Sequence, residues 1–152
     1  MIDIRDAGVR VRAGELASEE LPMIAAEALA EGLDTPSLRE LAGLSAGEYR
    51  EARELLDRVV AELGLPALPD EDQAVWEMAV LAARRMVAGA VAPVDGAQAI
   101  AAYAGSLGFP EPLATFAFLA DLWEDSAADR AGLEHDMVHA AESIVWEADE
   151  LA

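Results

Sequence analysis

The two histidines of the chain, His135 and His139, fall one helical turn apart in the stretch EHDMVHAAE at 134–142. Imidazoles at i and i+4 share one face of a helix and can hold one metal ion, as the paired histidines of HExxH do in zinc enzymes. Here Asp136 stands where that motif has its glutamate, and the next carboxylate on the face, Glu142, is about 10 Å of helix rise from His135. A metal centre on His135 and His139 would therefore need carboxylates from another helix. Without them the pair belongs to a solvated polar face.

Other groups suggest acid–base or anion chemistry. Glu77 interrupts an apolar stretch and would become a general base if burial raised its pKa. Arg84 and Arg85 follow it near a helix C-terminus, where cations suit the dipole. They fit either an anionic substrate or an ion pair that orients the helix, with Glu77 a partner two turns earlier. Asp121, Glu124, Asp125 and Asp129 crowd a helix junction, but the oxygen spacing and glycine of a calcium loop are missing.

No phosphate-binding loop, dinucleotide fingerprint or nucleophile elbow occurs, and the absence of cysteine removes disulfides, thiolate metal sites and a Cys nucleophile. The 152 residues hold 30 acids against 10 bases, every one an arginine, for a formal charge of −20. Such a surface repels a phosphate backbone, so nucleic acid is excluded as a direct partner, whereas a basic protein would be attracted. Arginine without lysine or asparagine, together with abundant alanine, matches a GC-rich coding bias. No run approaches the ~20 apolar residues of a membrane span. The opening MIDIRDAGVRVRAGEL lacks the apolar core of a signal peptide, and a cytoplasmic protein with no membrane association is expected.

The elements that must carry these groups are helical almost throughout. Residues 2–12, IDIRDAGVRVR, are the exception: Ile2, Ile4, Val9 and Val11 alternate with polar residues, which predicts a short β-hairpin turning at Gly8 with positive φ. From Ser18 the periods are helical, with stops at Gly32, Gly43, Gly64, Gly89 and Gly108. Thr35 and Pro36 open a short helix, and Ser45 with Glu48 forms a capping box for another that turns Tyr49, Leu56 and Val59 inward. Asp70 with Gln73 caps a helix over 71–88 that is apolar almost all round, and Asp95 with Gln98 caps the next. Two more cover 112–124 and about 127 to the end. These readings predict an all-α protein, a compact orthogonal bundle of six to seven helices around 71–88. Residues 1–17 form an N-terminal arm or hairpin, and 18–152 a single helical domain whose segments 18–64 and 65–152 share one core.

On the last helix Leu133, Met137, Ala140, Ile144, Ala148 and Leu151 form the apolar stripe, which leaves His135, His139, Glu142 and Trp146 on the opposite side. A tryptophan facing away from the core must be covered, here by the N-terminal hairpin or the first helix, or else serve as an anchor for a partner. Glu142, Glu147, Asp149 and Glu150 would ring that anchor, and Glu124 with Asp125 would extend the acidic surface.

The stretches LPMIAAEALAEGLDTPSLRELAG and AARRMVAGAVAPVDGAQAI, under a third of the chain, resemble small acidic all-helical proteins of actinobacteria. The resemblance implies a helical fold and carries over no functional residue. In size, acidity and helicity the chain is also similar in class to bacterial immunity proteins. The function expected is an acidic module that binds a basic protein, such as an immunity-type inhibitor of a basic toxin or enzyme, through Trp146, Glu142, Glu147, Asp149, Glu124 and Asp125, with no cofactor. Two alternatives stand beside it: a metal-dependent or acid–base enzyme using His135 and His139 with carboxylates, and a helical adaptor or homo-oligomer that closes its own apolar faces.

Overall fold

Asp3 makes the N-terminus a helix. In a computed structural model that describes residues 1–152, its carboxylate caps α1 (Ile4–Arg12) by accepting from the Arg5 and Asp6 N–H groups, each at 3.0 Å. Arg10 closes on Asp6 at 2.7 Å one turn later. The predicted hairpin is therefore replaced by a helix. Ile4, Ala7 and Val11 are spaced as one helical face, and all are buried. Gly8 is not a turn residue: it lies inside α1, and a Cβ there would stand 2.7 Å from a methyl of Leu68. The turn glycine is Gly14, at φ 80°, after which the Glu15 N–H reaches the Arg10 carbonyl at 2.9 Å and ends the helix.

A 3-10 turn (Ser18–Glu20) leads into α2 (Leu21–Ala30), then α3 (Pro36–Ala42) and α4 (Tyr49–Glu62). The Thr35 hydroxyl accepts from the Leu38 N–H at 3.1 Å and Pro36 takes the first helical position, as their types require. Glu48 accepts from the Ser45 N–H at 2.8 Å, but a turn at 46–47 delays α4 to Tyr49. Tyr49 consequently stands 53% exposed instead of facing inward. Met1–Ala74 form one compact unit, in which α3 packs on α2 and α4 around buried Leu21, Leu38, Leu41, Leu56 and Val59.

Val75–Ala152 form a second unit with its own core of Ala79, Ala83, Ile100, Leu113, Phe116 and Met137. Its helices are α5 (Glu71–Val87), capped by Asp70 through the Gln73 N–H at 2.8 Å, then α6 (Pro93–Ser106), α7 (Glu111–Asp125) and α8 (Arg130–Glu150). No residue of α5 from Ala74 to Ala83 is exposed, in keeping with its apolar circumference. α6 opens at Pro93, one position after Ala92, so Asp95 lies in its first turn and is not its cap. Gly96 lets α6 approach α5: a Cβ on Gly96 would overlap Cγ of Met86. α6, α7 and α8 pack pairwise. The α-helices number eight because residues 2–12 add one to the seven read from the sequence. None is long and apolar enough to cross a membrane.

Candidate functional site

α8 begins where the Asp129 carboxylate accepts from the Gly132 N–H at 3.3 Å, and it buries Met137, Ala141 and Ile144. Its opposite side carries His135, His139, Glu142 and Trp146, all exposed, with Trp146 64% open. α1 (Ile4–Arg12) buries Ile4 and Val11 beside Leu21 in the first unit's core.

Glu142, Glu147 and Glu150 are exposed near Trp146. Asp149 is exposed too, but it accepts from Arg84 at 2.6 Å, an ion pair that ties α8 to α5. That hydrogen bond holds the Asp149 carboxyl below its usual range and lifts Arg84 above its own. Arg84 thus has an acid partner on α8, and the Asp149 charge is answered within the chain. Glu124 and Asp125 end α7, which runs antiparallel to α8: residues 111–115 at the start of α7 line one groove with residues 140–147 in the later part of α8. Trp146 lies 16 residues beyond Arg130, about 24 Å along α8. The six acidic and aromatic candidates therefore divide, with Trp146, Glu142, Glu147 and Asp149 toward one end and Glu124 and Asp125 at the other.

His139 Nδ1 lies 3.9 Å from a Glu142 carboxylate oxygen, and no group of three or more His, Asp or Glu side chains comes together where it could hold a metal ion. Glu77 is half-buried on α5.

Residues 111–150 hold eleven acids and one arginine, Arg130, which sits over the Trp123 ring at 4.8 Å. The α7–α8 surface thus offers carboxylates and almost no competing cation. Sequence reading passed over three features of the second unit. Phe118 is 61% exposed because the core face of α7 is taken by Leu113, Phe116, Leu119 and Ala120, from which Phe118 is displaced. Phe109, 56% exposed, holds a left-handed φ of 56° directly after Gly108. A groove of about 300 Å³ separates α7 from α8, lined by Glu111, Pro112, Thr115, Ala140, Ser143, Ile144 and Glu147. The displacement of Phe118 was available in the helical spacing; the groove and the Phe109 backbone were not.

A second groove, about 420 Å³, lies in the first unit between Arg12, Arg50 and Arg53 and the acids Glu54, Asp57 and Glu71. Arg12 grips Asp57 with two bonds of 2.8 and 2.9 Å, and Arg53 stands 3.9 Å from Glu71. Three cations facing three anions give this groove no preference for either sign of ligand. Comparison with protein-family models, with curated proteins and with solved structures gives no match for the chain.

Proposed function

We propose that the protein is an acidic protein-binding module that captures a basic protein in the cytoplasm, in the manner of an immunity-type inhibitor of a basic toxin or enzyme. The observation that carries this reading is Trp146, 64% exposed on α8 between Glu142 and Glu147. A tryptophan is the side chain most enriched among residues that dominate binding energy, and leaving one in water has no benefit to the folded monomer. The carboxylates around it supply long-range attraction, which accelerates encounter with a basic partner and disfavours acidic ones.

The test is a pull-down from the native host with the protein as bait, followed by affinity measurements on the basic protein recovered. Trp146→Ala is expected to weaken that complex by about tenfold or more, the loss typical of a central aromatic anchor. Reversing Glu142 and Glu147 to arginine is expected to slow association. Recovery of no stoichiometric basic partner, or equal affinity for all variants, would count against the proposal.

A further inference from the structure

The α7–α8 surface also bears on the form of the partner. Phe118 and Trp146 are the large exposed aromatics of these two helices, one on each, and a groove opens between the helices. The groove spans residues 111–115 of α7 and 140–147 of α8, so with the helices antiparallel Phe118 falls level with about residue 138. Trp146 is then roughly 12 Å further along α8, and with ~9 Å between helix axes the two rings anchor points about 15 Å apart. Three turns of a helix cover that distance. The groove is lined by apolar Pro112, Ala140 and Ile144 and by one carboxylate from each helix, Glu111 and Glu147. Neither carboxylate has an ion-pair partner in the chain.

We infer, building on the binding-module reading above, that the partner element is a basic amphipathic helix laid across α7 and α8. Its apolar side chains contact Phe118 and Trp146 and enter the groove between Pro112, Ala140 and Ile144, and its Lys or Arg residues meet Glu111 and Glu147. A helix is favoured over an extended segment because an all-helical protein has no strand edge to extend, whereas the furrow between two packed helices accepts the ridge of a third. Charge complementarity selects the sign: eleven acids against one arginine over 111–150 repel a second copy of the same surface and attract a cationic face. Long basic side chains also suit the site chemically, since their methylene stems can cover the apolar lining while the charged ends reach the two carboxylates.

The inference is tested on the full chain with two synthetic peptides of identical Leu and Lys composition. One has leucines at the i, i+3, i+4, i+7 spacing of an amphipathic helix, and the other has them in strict alternation. Affinities are measured by calorimetry near physiological ionic strength, for the wild type, Phe118→Ser and Glu111→Gln/Glu147→Gln. Both variants alter exposed residues, and unchanged circular dichroism would verify that they fold. The expected result is that the helical-period peptide binds about tenfold or more tighter than its isomer, and that each variant erases most of that preference. Equal binding of the two peptides, unaffected by Phe118→Ser, overturns the helix-in-groove inference while leaving an acidic capture surface standing. Binding of neither peptide contradicts both. A wild-type dimer in light scattering that Phe118→Ser dissolves overturns the inference in favour of a second copy as the occupant.

Discussion

Two glycines of α6 should respond to the same substitution with opposite signs. Glycine inside a helix costs about 1 kcal/mol relative to alanine, so Gly→Ala normally stabilises. At Gly105 nothing opposes that gain: the nearest atom to an added Cβ is Cζ of Phe109 at 3.7 Å, ordinary contact. At Gly96 the methyl would overlap Cγ and Sδ of Met86, itself 3% exposed in the second unit's core. The stem of Met86 must move, and overpacking of this kind costs about 1–3 kcal/mol. Subtracting the helical gain leaves Gly96→Ala destabilised by roughly 0–2 kcal/mol, while Gly105→Ala gains up to about 1. Urea unfolding followed by circular dichroism measures both, and the two variants should differ by about 1–3 kcal/mol. In a Met86→Ala background, which has no Cγ to overlap, the added cost of Gly96→Ala should largely disappear. A Gly96→Ala protein as stable as Gly105→Ala would refute the close contact of Gly96 with Met86.

Phe116→Ala should cost about 3–5 kcal/mol because Phe116 is fully buried, whereas Phe118→Ala two residues later should stay within about 0.5 of wild type; thermal or urea unfolding separates them. Asp3→Ala should destabilise the first unit by about 1 kcal/mol through loss of the α1 cap, and amide exchange at residues 4–8 should rise. Asp149 and Asp34 have carboxyls lowered by hydrogen bonds to Arg84 and Arg39, so their stabilisation is present above the unfolded carboxylate pKa near 3.9 and is lost as pH falls through the lower folded values. Asp149→Asn and Asp34→Asn should therefore be less stable than wild type at neutral pH, and that difference should shrink on acidification below about pH 4. A difference that persists unchanged in acid would contradict the ion pairs.

The helical class was legible because apolar residues recur at helical spacing and glycines such as Gly64 and Gly89 stand where helices must stop. Both take positive φ. Residues 2–12 misled because Ile4 and Val11, seven apart, satisfy a helical face, while the pairs Ile2/Ile4 and Val9/Val11 satisfy a period of two. The Asp3 cap decides between them, and the alternation obscured it. Tyr49 was misplaced by a turn that interrupts a capping box without abolishing its hydrogen bond. In the candidate site, periodicity gave the direction of Trp146, away from the buried Met137, Ala141 and Ile144. The acids near α8 illustrate the remaining gap. Glu124 and Asp125 follow Phe118 by only a few residues, yet the antiparallel return of the chain carries Trp146 to the far end. Asp149, counted as free charge, had a partner 65 residues away in Arg84.

The decisive measurement is the association and dissociation rate of the host's basic partner as ionic strength is raised, for wild type and Trp146→Ala. An anionic docking surface anchored by Trp146 gives association that slows steeply with salt in both proteins, together with dissociation about tenfold faster in Trp146→Ala. Association indifferent to salt, with dissociation unchanged by loss of the indole, would show that neither the carboxylates nor Trp146 of α8 forms the binding surface.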